Sequence, residues 1–103
     1  MTQHRFSLNI TWPDGRNGVG ELAAKQLSTK VSIPEEMDGP NVGTNPDEML
    51  LGAAATCYVI TLAAMLERSR IQASLSLTSE GYVDVTNGVF TYEEIHHHIV
   101  IEL

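Results

Sequence analysis

Hydrophobic and polar positions alternate near both ends of the chain and lose that alternation in the middle. Residues 4–12 place Phe6, Leu8, Ile10 and Trp12 on one side and Arg5, Ser7, Asn9 and Thr11 on the other, the period-two pattern of a half-buried strand. Pro13-Asp14-Gly15-Arg16-Asn17-Gly18 then gathers turn formers. A second extended stretch is clearest at Leu27, Thr29, Val31 and Ile33 and ends at Pro34. Residues 4–33 are therefore expected to form a hairpin or β-meander. Further on, Ala73, Leu75 and Leu77 alternate with polar residues, and Tyr82-Val83-Asp84-Val85 continues the strand. Asn87-Gly88 supplies a hairpin turn, and residues 89–103 return with Ile95, His97, Ile99, Ile101 and Leu103 on one face. A β-hairpin is expected over 72–103.

Between these segments lies a loop rich in Pro, Gly and Asn over 34–46, closing with Gly43-Thr44-Asn45-Pro46. Its end carries a strong helix start signal. Asn45 suits the N-cap, Pro46 the first helical position, and Glu48 falls three residues past Asn45 as in a capping box. Asp47 and Glu48 in the first turn also suit the helix dipole. A central helix over 46–69 would be ~35 Å long. No charged residue falls between Met49 and Leu66, a run about long enough for a membrane span. Its content is small and only mildly apolar, with Gly52, Ala53, Ala54, Ala55, Thr56 and Thr61, and Glu67 and Arg68 follow at once. A buried core helix, covered on more than one side, is the expectation. Strands, one long helix and strands make an α+β fold with antiparallel sheets, read as a single domain over 1–103.

The last strand pattern runs to Leu103 and would leave an apolar strand near an edge. Cover by a partner chain or a longer natural sequence is expected.

Composition narrows the function classes. Among 103 residues, six Lys and Arg stand against 13 Asp and Glu, a formal net charge of −7. Such a surface repels a polyanion, and no basic run offsets it, so nucleic-acid binding is not expected. One cysteine, Cys57, permits no internal disulfide and no multi-cysteine zinc site. The opening MTQHRFSLNI has no basic region followed by an apolar block, so no signal peptide is read and a cytoplasmic location is expected.

Cys57 lies three turns into the helix, too deep for the dipole to activate it. A reactive thiol there would need a cation, and Arg16, in its glycine-framed turn, is the residue best suited to present one. Asp47 is ten residues, or ~15 Å, from Cys57 along the same helix. Two copies crossing antiparallel near Gly52 would bring Asp47 of one chain beside Cys57 of the other, and Gly52, Ala53 and Ala55 are small enough to allow it.

The run from Thr44-Asn45-Pro46-Asp47-Glu48-Met49 to Ala55-Thr56-Cys57 resembles the signature of the OsmC/Ohr family, whose helix opens T-N-P-E-[EQ]-L and reaches its peroxidatic cysteine in the same register. Asp14-Gly15-Arg16-Asn17-Gly18 is similar to the G-R-D-G turn of the Ohr branch. Pro34-Glu35-Glu36-Met37-Asp38-Gly39-Pro40 matches the P-x-x-x-G-G/P approach to the helix. The likeness covers nearly the whole chain in order.

It implies an intertwined OsmC-like homodimer and a thiol-dependent peroxidase for organic hydroperoxides or hydrogen peroxide, acting in oxidative or osmotic stress. Cys57 would be the nucleophile, passing through a sulfenic acid. Arg16 would favour the thiolate and polarise the peroxide. The acid that orients the arginine would be Asp47, with Glu48 as the neighbour able to replace it. Tyr58, Met49 and Met65 would line a pocket, and ordinary core packing is their alternative. No cofactor is implied beyond an external thiol, dithiol or lipoyl-type reductant, and no membrane partner is expected.

The family's resolving cysteine, in a C-P-x-S-like motif, has no counterpart. Truncation, a one-cysteine variant and loss of activity would each explain this, and truncation fits the unclosed strand pattern. The competing reading is a non-enzymatic relative that binds a small apolar ligand or serves as a structural dimer.

His96, His97 and His98, with His4, invite a metal reading. On a strand only His96 and His98 share a face, and two ligands fall short of a zinc site. A polar outer face with one inward imidazole is expected.

Overall fold

In the computed structural model, which describes residues 2–103, the chain forms two compact units, one ending at Pro46 and one spanning Asp47–Leu103. The first is a three-stranded antiparallel meander of β1 (Leu8–Thr11), β2 (Gly20–Ala24) and β3 (Ser28–Val31), in that spatial order. Ile10 lies opposite Leu22 and Gly20 opposite Val31. Leu22, Val31 and Ser32 are buried.

The half-buried strand expected over 4–12 is shorter and barer than its pattern suggests. Only Leu8–Thr11 pair, all four are exposed, and Phe6 is 93% exposed. Alternation selects the strand, but burying its apolar side needs a facing layer, and among the described residues of its own unit β1 pairs only along one edge, with β2.

Beyond β3 a single turn of 3-10 helix at Glu35–Met37 interrupts the loop. The chain then doubles back beside β3. Asn41 donates its N–H to the Ile33 carbonyl, Ser32 to that of Thr44, and Thr44 to that of Lys30. The Ser32 hydroxyl donates to the Val42 carbonyl at 2.8 Å and accepts from the Val42 N–H at 2.7 Å. Buried Ser32 thus closes the loop. Gly43 has φ +73°, and a Cβ there would overlap the Lys30 carbonyl, so this return path requires glycine.

The second unit pairs helix α1 (Pro46–Arg68) with a long hairpin, β4 (Ser74–Thr86) and β5 (Val89–Glu102). Asn87 and Gly88 both have positive φ, as a two-residue type I′ turn demands. The helix stops in a Schellman arrangement. Arg70 adopts the left-handed conformation at φ 59°, its N–H reaches the Glu67 carbonyl, and the Ile71 N–H reaches that of Leu66.

The expectation of a buried core helix is corrected. No residue of α1 is buried. Leu51, Ala55, Leu62 and Leu66 are half-buried, whereas Leu50, Ala53, Cys57 and Ile60 are exposed. Within this unit the hairpin is the helix's neighbour, and one two-stranded sheet covers one face of a helix. By length and composition α1 would also be long and apolar enough to cross a membrane.

Candidate functional site: the Cys57 helix and the Arg16 turn

Residues advance 100° per step around an α-helix, so the 3- and 4-residue spacings of Leu50, Ala53, Cys57 and Ile60 put them on one face. Cys57 is a free, exposed thiol on that face. The half-buried face lies toward the hairpin. Tyr58, itself 40% exposed, reaches the hairpin and stacks on His97 of β5, ring centroids 4.9 Å apart and planes 27° from parallel. His97 Nδ1 in turn lies 2.6 Å from Ser79 Oγ, its direct cross-strand partner. One imidazole of the triplet thus turns inward, flanked by Ile95 and Ile99.

A β-bulge sits between Tyr82 and Val83. Tyr82 opposes Glu94 and Val83 opposes Tyr92, leaving Glu93 as the extra residue. An inserted residue reverses which face the following side chains take. Tyr92 is thereby moved to the helix side, and its hydroxyl donates to the Asp47 carbonyl at 3.2 Å. Gly81 makes room, since a Cβ there would overlap that hydroxyl. Asp47 is thus gripped through its backbone while its carboxylate stays free of that contact.

On the outer face, His96 Nε2 and Glu94 form an ion-pair contact at 2.8 Å when the imidazole is protonated. Tyr82 donates to Glu80 at 2.8 Å, and its ring meets that of His96 edge-on. The Glu80 hydrogen bond, followed by the charges of Glu80 and Glu94, holds the Tyr82 pKa above its ordinary 10.0. Among the described residues no cluster of three or more His, Cys, Asp or Glu side chains is placed to hold a metal.

Arg16 belongs to the first unit. Its turn is closed by the Gly18 N–H on the Gly15 carbonyl, which also accepts from the Trp12 indole at 2.9 Å. The guanidinium is clamped on the loop before the helix. Nη2 donates to the Met37 carbonyl at 2.6 Å, and Nη1 to the Asp38 carbonyl at 3.1 Å and to Asn17 Oδ1 at 3.0 Å. Rigid, multi-donor geometry is what a guanidinium offers over an ammonium.

The four sequence-predicted site residues are thus distributed as follows. Arg16 lies in the first unit, while Asp47, Glu48 and Cys57 all lie on α1 of the second. Asp47 and Glu48 occupy its first turn, and the helix separates them from Cys57 by more than two turns. Sequence reasoning missed Tyr92 and Ser79. Ser79 left a trace, a polar residue in register with Leu75 and Leu77. Tyr92 left none, because the bulge that turns it inward has no signature in the alternation.

The α+β architecture, with one long helix and antiparallel sheets, is that of known organic hydroperoxide resistance proteins. A structure of such a protein from Elizabethkingia anophelis superposes with a TM-score of 0.78 at 22% identity, covering 97% of this chain and 71% of that one. The family model for OsmC-like proteins matches residues 38–103, and the chain belongs to the OsmC-like family. It is 60% identical over 98 residues to the uncharacterized protein YmaD of Bacillus subtilis (strain 168), covering 94% of this chain and 65% of that protein. It is 27% identical over 85 residues to an organic hydroperoxide resistance protein of Xanthomonas axonopodis pv. citri (strain 306), covering 82% of this chain and 57% of that protein. The chain therefore spans less than two thirds of the length of these two relatives.

Proposed function

We propose that this protein is a cytoplasmic, homodimeric, thiol-dependent peroxidase that reduces organic hydroperoxides through Cys57. The observation that carries the reading is the free, exposed Cys57 thiol within the segment matched by the OsmC-like family. The organic hydroperoxide resistance protein among its relatives supplies the substrate class.

In the proposed reaction the Cys57 thiolate attacks the terminal oxygen of the hydroperoxide. An S–O bond forms, the O–O bond breaks, and sulfur gives up two electrons. The alkoxide leaves and takes a proton, so the products are an alcohol and the Cys57 sulfenic acid. An external thiol then attacks the sulfenic sulfur and releases water. A second thiol attacks the resulting mixed disulfide, frees the Cys57 thiolate and departs as an oxidised disulfide. A dithiol, such as a lipoyl-type carrier, supplies both sulfurs. This return route needs no second protein thiol.

Arg16 is assigned to the thiolate and the peroxide oxygen. Asp47 orients it, and Glu48 is the acid next to Asp47. A second copy of the chain covers the exposed Leu50–Ile60 face, and an antiparallel crossing near Gly52 brings Asp47 of one copy toward Cys57 of the other.

The test is incubation with cumene hydroperoxide and a dithiol. Peroxide consumption that disappears in Cys57→Ser, with one added oxygen at Cys57 by intact mass when reductant is omitted, is the expected result. No peroxide loss and no Cys57-dependent oxidation would remove the enzyme and leave a binding or structural role.

A further inference from the structure

We propose that Tyr58, His97 and Ser79 act as positioning residues that set the rotation of α1 and so aim the Cys57 thiol. The proposal deepens the peroxidase reading and rests on it for the chemistry, but its geometric core stands on the contacts alone.

Around Cys57 the helix is built of small residues. Gly52, Ala53, Ala54, Ala55 and Thr56 precede it, and small side chains give a helix little to lock into a facing sheet. Tyr58 is the one aromatic residue of α1. It follows Cys57 directly, so the two side chains leave the helix axis about 100° apart. Fixing the direction of one fixes that of the other.

The sheet side of the contact is unusual. Half-buried positions on β4 and β5 include Leu75, Leu77, Val83, Ile95 and Ile99. Ser79 and His97 are a polar pair among them, and they face each other across the strands, with Tyr58 stacked on His97. The Ser79 hydroxyl against Nδ1 at 2.6 Å fixes the imidazole plane, and the stacked phenol reads that plane at 4.9 Å. Stacked rings have a preferred offset and tilt, which aliphatic contacts lack. The chain of contact runs from Ser79 to His97 to Tyr58, and from there through the helix backbone to Cys57.

Two measurements test this on the full chain. Cys57 is the only cysteine, so a nitroxide reagent labels it alone, and its electron paramagnetic resonance spectrum reports the side chain's surroundings. In parallel, the rate constant for oxidation of unlabelled Cys57 by cumene hydroperoxide is measured without reductant. The variants are Tyr58→Phe, Tyr58→Ala, His97→Ala, Ser79→Ala and the Tyr58→Ala/His97→Ala pair, compared at equal folded fraction by circular dichroism.

Tyr58→Phe keeps the ring and is expected to match wild type in both readouts. Tyr58→Ala and His97→Ala should each alter the label spectrum and lower the oxidation rate about tenfold, a sub-ångström misplacement of a reacting atom being enough for that. The pair should be no worse than either single change, the non-additivity of residues acting through one contact. A merely structural role would lower stability and leave the folded-state spectrum and rate unchanged. Label spectra and rates equal to wild type in Tyr58→Ala and His97→Ala overturn the proposal. A wild-type thiol no faster than free cysteine ends the peroxidase reading instead, and the label spectra then decide the positioning by themselves.

Discussion

The Tyr92 hydroxyl donates to the Asp47 carbonyl across 3.2 Å, tying the hairpin to the first turn of the helix at a point that Gly81 keeps clear. Gly81→Ala should therefore push the tyrosine ring aside and cost about 1–3 kcal/mol, the usual range for overpacking. Tyr92→Phe, which loses only the hydrogen bond, should cost about 0.5–1.5 kcal/mol. Urea denaturation of both variants checks the order, and an Ala at 81 that costs nothing would refute the close approach.

Gly43→Ala tests the loop that precedes the helix. The substitution combines a left-handed backbone with overlap on the Lys30 carbonyl, so a loss of about 2–4 kcal/mol is expected. Arg70→Gly is the opposite case. Its left-handed φ of 59° at the end of α1 is a conformation glycine adopts without a Cβ penalty, and a gain of about 0.5–1 kcal/mol is expected. Thermal denaturation reads both.

Arg16 holds the Met37 and Asp38 carbonyls. Arg16→Lys retains the charge but cannot span both acceptors together with Asn17. Hydrogen exchange should then quicken at the amides of Met37, Asp38 and Gly39, whose bonds close the single 3-10 turn. If Arg16 also serves Cys57, the same variant slows peroxide oxidation at least about tenfold; unchanged exchange and unchanged oxidation together would remove both roles.

Titration of Tyr82 has a defined sign. Its hydroxyl donates to Glu80, which favours the protonated phenol and raises the pKa above 10.0. The stabilising contribution is complete below the ordinary tyrosine pKa and is lost as pH rises through the elevated one. Glu80→Gln should move this transition to lower pH, read as tyrosinate absorbance. An unaltered transition would mean that the Glu80 hydrogen bond is not its cause.

The exposed face of α1 predicts self-association. Ile60 is 62% exposed and Leu50 50%, both on the helix face that carries Cys57. Sedimentation should give a dimer, and Ile60→Glu should dissociate it by placing a charge in an apolar contact. A wild-type monomer at micromolar concentration would end the two-copy arrangement proposed for Asp47 and Cys57.

Much of this protein could be read along the chain because the signals are local. Asn87-Gly88 specifies its turn through backbone sterics, Pro46 with Asp47 and Glu48 starts the helix, and Ile95, His97 and Ile99 share a face because strand side chains alternate. The segment from Thr44 to Cys57 also carried the family. Only the tertiary structure decided the rest. A single extra residue, Glu93, turns Tyr92 from the outer face to the helix, and no periodicity reveals where a ladder slips. The apolar run of α1 read as a buried core, yet burial depends on what packs against each face, and one hairpin covers one side. The exposure of Cys57 turned on the same point. Helical spacing puts Cys57 with Leu50 and Ile60, and the placement of the hairpin leaves that side of the helix open.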